Sequence, residues 1–332
     1  MLKVGMIGAG CIGSLHSTNW QAVKGAELVT IADINSDKAR NLAAKLDLPW
    51  TDDVDSVFRD KRIDVVDVCL PTAFHKEYVL KAAKNKKHVF CEKPIARNMA
   101  DARAMVDACK KADIKFMVGH VVRFFREFIK IKEQIESGAV GKVGVVRTSR
   151  CVGFPRFSPE STAWYSDYEK SGGVVLDLLA HDFDWLRWCF GEVERVYGRG
   201  LAHTALKEHI DYALVTLRFK SGVVAHAEGS WAEAGGLKTA VEVAGDKGLI
   251  DFKSDGAKPI HVSIKQIGGG GTAAETPAVA LTSHFTLELQ EFADSIIENR
   301  APTPSPEDSM KSLQVALAAL ESVKTGKVVR PR

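Results

Sequence analysis

The chain has 332 residues, 45% of them hydrophobic and 26% charged, with a net charge of +3. This is ordinary for a globular protein of about two domains. The small positive balance gives no reason to expect nucleic acid or an anionic membrane as partner, and no apolar run approaches the roughly 18 residues of a membrane-spanning helix.

The N-terminal "MLKVGMIGAGC" is too short and too broken by glycine to be a secretion signal, so it reads as mature structure. "KVGMIGAG" is a buried strand ending in glycines, residues 11–24 are helical, and "AELVTIAD" is the second strand. "SDKARNLAAKLD" is a helix capped by Ser36. "DVVDVCLP", "KHVFCEKP" and "IKFMVGH" are further strands, separated by the helices "HKEYVLKAAKNK" and "MADARAMVDACKKAD". Strands alternating with helices in this rhythm predict crossover units and a parallel sheet over residues 1–120.

Beyond residue 120 the rhythm changes. Residues 124–137 and 171–190 are predicted helices, and most of the remainder to about 267 is strand-like, with a hairpin turn at Lys220, Ser221 and Gly222. Residues 150–173 form a long irregular run, and "IGGGGTAAETP" (267–277) is a surface loop. Two helices close the chain, near 284–298 and 306–325, the second capped by Ser305 with Pro306 and Asp308 in its first turn. Residues 121–332 are therefore an α+β domain with a large, mostly antiparallel open sheet. The six cysteines form no Cys-x-x-Cys pair and are expected as free thiols, which suits a reducing cytoplasm.

Gly8, Gly10 and Gly13 make a G-x-G-x-x-G that follows a strand and opens a helix. The first glycine permits the turn, the second lets the backbone approach a pyrophosphate, and the third allows close helix–sheet packing. With Cys11 and Ile12 between them, these residues are the candidate phosphate site at a helix N-terminus. An acid about twenty residues onward is the second mark of a dinucleotide site, and Asp33 ends the second strand. A carboxylate there accepts from ribose hydroxyls and repels a 2′-phosphate, which favours NAD over NADP. Leu70, Pro71 and Thr72 end the next strand beside the expected cofactor path, with His75 opening the following helix. Glu92, Lys93 and Pro94 follow the fifth strand, so Lys93 is placed at the crevice where ligands of such sheets bind.

Asp177, His181 and Asp184 interrupt the apolar run "GGVVLDLLAHDFDWLRWCF" at spacings of four and three, which share one helix face. Taken alone, such a stripe fits a satisfied core histidine, a pair of metal ligands or a catalytic edge. No HExxH or Cys/His cluster accompanies it to support a metal.

In this order, G-x-G-x-x-G, Asp33, "PTAFH", "EKP" and "GG…D-x-x-x-H-D" resemble the Gfo/Idh/MocA oxidoreductases over nearly the whole chain. The resemblance implies an N-terminal Rossmann domain, a C-terminal α/β domain whose sheet often joins subunits into dimers or tetramers, a nicotinamide cofactor, and a sugar or cyclitol substrate. It maps Lys93, Asp177 and His181 onto the family's catalytic lysine, aspartate and histidine, and makes Glu92 and Lys93 cofactor neighbours as well. Inositol dehydrogenases of the family tend to carry adjacent arginines after the sixth strand. Here "GHVVRFFREF" offers His120 and a single arginine, Arg123, preceded by Val122, as the candidate substrate contacts of this loop. Phe154 and Trp164, in the irregular run, are candidates to pack on a sugar face. A nucleotide-linked or phosphorylated sugar is the alternative substrate, suggested by Arg123, Arg150 and Arg156, and a nucleotide-sensing regulator without chemistry is the alternative class.

Overall fold

The computed structural model describes residues 1–156, 159–202, 210–255, 260–264, 271–275 and 282–332. By packing, the chain divides into two compact units, Met1–Phe124 with Leu281–Lys311 and Phe125–Ala280 with Ser312–Arg332.

The first unit opens with β1 (Leu2–Ile7), α1 (Cys11–Trp20), β2 (Ala26–Ala32), α2 (Ser36–Ala44), β3 (Trp50–Thr51) and α3 (Val54–Arg59). It continues through β4 (Val65–Val68), α4 (Thr72–Lys84), β5 (His88–Glu92), α5 (Met99–Ala112) and β6 (Phe116–Gly119). All six strands are parallel, in the order β3-β2-β1-β4-β5-β6. The order reverses between β1 and β4, and this is the switch point at which doubly wound sheets take their ligands. Strand β3 and helix α3 are additions to the sequence-based expectation, because two and six residues are too few for a periodic signal. The cap of α2 is Asn35 rather than Ser36: its side chain accepts from the Lys38 amide at 3.0 Å. Helix α4 begins at Thr72, so His75 lies in its first turn.

The second unit contains α6 (Arg126–Glu136), β7 (Val143–Cys151), α7 (Pro159–Ser166), α8 (Tyr168–Ser171), α9 (Gly173–Leu176) and α10 (Ala180–Phe190). Then follow β8 (Val193–Leu201), β9 (Tyr212–Phe219), β10 (Val224–Ser230), β11 (Lys238–Gly245), β12 (Gly248–Lys253), β13 (Ile260–Ile264) and β14 (Gly271–Glu275). Among the described residues they form one sheet, β14-β13-β12-β11-β7-β10-β9-β8, antiparallel except where β7 meets β10. The predicted hairpin joins β9 to β10, with Gly222 at φ +97° in its turn. Alternate residues such as Val215, Leu217, Ala225, Ala227, Val241 and Val243 are buried on one face. The segment between α9 and α10 lies against that sheet: a Cβ on Gly229 would come within 2.7 Å of the Leu179 side chain.

Three expectations change here. The run 171–190 is not one helix. Gly172 and Gly173 both have positive φ (+78° and +64°), and residues 177–179 form a turn between α9 and α10. In that turn the Leu179 amide reaches back five residues to Val174. The run 150–173 carries the short helices α7 and α8. Of the expected loop at 267–277, residues 271–275 are the edge strand β14, and residues 267–270 and 276–277 lie outside the described residues.

The chain closes with α11 (His284–Ile297) and α12 (Pro306–Thr325). Ser305 caps α12 as expected: its hydroxyl accepts from the Asp308 amide at 3.1 Å and donates to the Asp308 carboxylate. The sequence assigns α11 to the second domain, but in the structure it packs in the first unit. Leu289, Phe292 and Ala293 join Val4, Met6, Trp20, Leu28, Phe90 and Met117 in one core, and Phe292 meets Phe90 edge-on at 5.6 Å. An apolar helical stripe announces that a helix is buried, not which core it completes.

Candidate active site

The glycine-rich turn is built as the spacing requires. Gly8 has φ +105°, and a Cβ there would lie 2.3 Å from the Cys69 carbonyl oxygen. A Cβ on Gly13 would fall 1.9 Å from the Gly8 carbonyl oxygen. Gly10, the N-cap of α1, is different: a Cβ there would meet nothing within 4 Å, and no side chain caps the helix. The helix N-terminus, with Cys11, Ile12 and Gly13 in its first turn, is thus left to an anion. Asp33 supports the same turn. Its Oδ2 accepts from the Ala9 amide at 2.7 Å, and its Oδ1 accepts from the Asn35 amide at 2.8 Å. Each carboxylate oxygen has further lone-pair capacity for a ribose hydroxyl. The uncapped helix end, the open space over Gly10 and the acid at the end of β2 fit a dinucleotide.

Leu70, Pro71 and Thr72 follow β4 at the same carboxyl edge, Thr72 being buried. Glu92 is the last residue of β5 rather than the first beyond it, and is buried; Lys93 follows, and the Lys93–Pro94 bond is cis. His75 is fully buried and directed inward. Its Nε2 lies 2.8 Å from the Leu70 carbonyl oxygen and its Nδ1 2.9 Å from that of Pro94. It therefore braces the turn after β4 against the turn after β5. Burial pushes its pKa down, against the pull of these carbonyl oxygens.

Behind the turn lies a group that no motif announces. His16 of α1 is fully buried, with Nδ1 3.0 Å from Asp67 Oδ2 and Nε2 3.2 Å from Glu92 Oε1. Asp67 Oδ2 also accepts from the Trp20 indole at 2.8 Å, and the Cys69 thiol donates to Asp67 Oδ1 at 3.4 Å. Among the described residues, His16, Asp67 and Cys69 are also the set whose donor atoms lie close enough together to hold a metal ion. Their atoms already serve one another as hydrogen-bond partners, and burial drives the Cys69 thiol well above its ordinary pKa, away from the thiolate a metal requires. The one sequence signal was the histidine itself, three residues past Gly13.

After β6, His120 and Arg123 are both buried. Arg123 Nη1 lies 3.7 Å from Asp308 Oδ2, so this predicted substrate contact has a structural ion pair.

In the second unit, Asp177 is buried at the C-cap of α9 and His181 is half-buried in the first turn of α10. The carboxylates around them have other partners. Asp182, fully within the core, receives the Arg150 Nε at 2.6 Å, and Arg150 in turn lies over the Phe128 ring. Asp184 accepts from the Ser312 hydroxyl at 2.8 Å, and Arg187 Nη1 donates to the same hydroxyl at 3.2 Å. Asp184 is thereby explained as a core residue. Phe154 and Trp164 join an aromatic cluster: Phe154 and Tyr165 each meet Trp231 edge-on at 5.7 Å, and Trp164 meets Tyr165 at 4.4 Å. Arg156 is exposed.

Residues 2–120 match the family model described as an oxidoreductase family with an NAD-binding Rossmann fold, and residues 132–330 match that family's C-terminal alpha/beta domain. The chain belongs to this Gfo/Idh/MocA oxidoreductase family. It is an enzyme of the oxidoreductase class, and residues 2–120 are the family's NAD-binding domain. It is 33% identical to a myo-inositol 2-dehydrogenase of Thermotoga maritima, over 99% of this chain and 98% of the relative. It is 28% identical to a scyllo-inositol 2-dehydrogenase (NAD(+)) of Bacillus subtilis, over 99% and 96%. Levoglucosan dehydrogenase in complex with NADH and levoglucosan superposes with a TM-score of 0.89 at 26% identity, over 100% of this chain and 99% of that one. No helix among the described residues is long and apolar enough to cross a membrane.

Proposed function

We propose that the protein is an NAD-dependent dehydrogenase that oxidises a secondary hydroxyl of a sugar, sugar derivative or cyclitol. The observation that carries this is the placement of Lys93 at the carboxyl end of β5, at the edge that also presents the glycine-rich turn and Asp33. Bound NAD supplies the hydride acceptor. The remaining work falls to side chains. Lys93 binds the reacting oxygen and stabilises the negative charge that grows on it as its proton leaves. His181 takes that proton, since an imidazole titrates near neutrality, and returns it in the reverse direction. Asp177, four residues earlier, orients the substrate or His181. These three roles come from the family resemblance, carried onto matching positions.

Asp33 supports NAD over NADP, because a 2′-phosphate would meet its carboxylate. Of the three arginines that suggest a phosphorylated or nucleotide-linked sugar, Arg123 and Arg150 are already paired with Asp308 and Asp182, which favours a neutral polyol. The six free thiols suit a reducing cytoplasm. Assembly as a dimer or tetramer through the open sheet suits its exposed Tyr197, Leu201 and Leu214 on β8 and β9.

The test is a panel of sugars and cyclitols with NAD+, followed by NADH absorbance, and repeated with NADP+. Turnover of a neutral polyol with NAD+ is expected. Tight NADH binding with no turnover of any sugar or cyclitol would instead identify a nucleotide-sensing regulator. Preference for NADP+ would overturn the role given to Asp33. Light scattering on the purified chain reads the assembly state.

A further inference from the structure

We infer that His16 is a positioning residue for Lys93: clamped between Asp67 and Glu92, it holds the Glu92 carboxylate against the Lys93 backbone and so fixes where the lysine starts. This rests on the role proposed above for Lys93, which it deepens.

The geometry carries the inference. Glu92 uses its two oxygens differently. Oε1 faces His16 Nε2 at 3.2 Å, while Oε2 accepts from the Lys93 amide at 3.1 Å. The first contact is at ion-pair distance but off the line of a hydrogen bond, so charge rather than direction holds it. The ring itself has little freedom. Asp67 takes Nδ1, Phe90 meets the ring edge-on at 5.5 Å, and Phe285 lies 5.9 Å away. Asp67 is fixed in turn by Trp20 and Cys69. The neighbouring strand leaves room for the glutamate: a Cβ on Gly119 would come within 2.9 Å of Glu92 Oε1.

Charge balance points the same way. Two buried carboxylates at one site are costly unless a cation separates them. An imidazolium is the group placed to do so, with one ring nitrogen toward each acid. Burial works to lower the pKa of His16, and its neighbours Cys69 and Asp67 outweigh it, so the ring holds its proton well above the ordinary range. The corner Glu92–Lys93–Pro94 is thus held from two sides, by His16 through Glu92 and by His75 through the Pro94 carbonyl. One histidine sets charge and the other sets backbone position.

A double-mutant cycle between His16→Gln and Lys93→Met separates positioning from general support. In the native background His16→Gln should lower kcat about tenfold or more, since small misplacements of a reacting group are costly, with KM and NADH affinity little changed. In the Lys93→Met background the same change should have no further effect on kcat. Equal losses in both backgrounds would mean that His16 only supports the fold, and overturn the inference. A second measurement needs no turnover: reductive 13C-methylation of the lysines, with the Lys93 signal assigned by Lys93→Arg. His16→Gln should move that signal and its titration while leaving the Lys76 signal in place. An unmoved Lys93 signal overturns the inference. Glu92→Gln keeps an acceptor for the Lys93 amide but removes the charge facing His16, so it should shift the Lys93 signal as well. If no polyol is oxidised by the native protein, the functional reading fails while the methylation experiment still decides the role of His16.

Discussion

The two units bind their polar residues in different ways. In the first, the candidate phosphate site is made of backbone: glycines where a Cβ would strike a carbonyl oxygen, and a helix end without a side-chain cap. In the second, four polar side chains within eight residues (Asp177, His181, Asp182, Asp184) have separate environments. Asp182 and Asp184 look like their neighbours in sequence, yet they are held by Arg150 on β7 and Ser312 on α12. A site made of backbone is written in consecutive residues. A site made of side chains depends on partners dozens to more than a hundred residues away.

This contrast predicts graded effects. The largest belongs to Lys93 and His181, the residues proposed to act on the substrate. Lys93→Met or His181→Asn should lower turnover by about 100- to 10,000-fold, the usual worth of a charge-stabilising donor or a general base. NADH affinity, read by fluorescence, should change little. If turnover survives in either variant, the role assigned to that residue is wrong. Next comes Asp182→Asn, which leaves the Arg150 guanidinium buried without its counter-charge. Urea denaturation should show a loss of about 3–5 kcal/mol, as for other broken buried pairs. Asp184→Ala should cost about 1–3 kcal/mol for the loss of the buried acceptor of the Ser312 hydroxyl. If either aspartate change left stability intact while abolishing turnover, these residues would belong with Asp177 and His181 instead. Gly13→Ala should destabilise by about 1–3 kcal/mol through overpacking against the Gly8 carbonyl and weaken NADH binding as well.

The smallest effect is a dependence on pH. The folded state raises the pKa of His16, so its stabilising contribution is complete below the ordinary histidine value of about 6.5. It fades as pH rises through the raised value. The stability difference between the native chain and His16→Gln should therefore shrink as pH rises above neutrality, in denaturant titrations at a series of pH values. A difference that widens with pH would show that the buried ring is neutral.

Much of the first unit was legible because its signals are local. Parallel strands, crossover helices and the glycine turn each leave a mark within about thirty residues. The edge strand β3 was too short to leave one. The break at 177–179 was hidden because every residue there also suits a helix, and only the positive φ at Gly172 and Gly173 sets the start. His16 escaped because its partners Asp67 and Glu92 lie 51 and 76 residues further along, on other strands. The reach of Arg123 to Asp308 was invisible for the same reason.

One consequence concerns synthesis. The core of the nucleotide-binding unit includes Leu289, Phe292 and Ala293, which leave the ribosome after nearly the whole second unit. Domains tend to fold in order of emergence, but here the first sheet to emerge waits for the last-but-one helix. The nascent chain must carry an uncovered apolar layer around Phe90 and Trp20 through most of its translation. A fragment ending at residue 120 would carry the same exposed layer permanently.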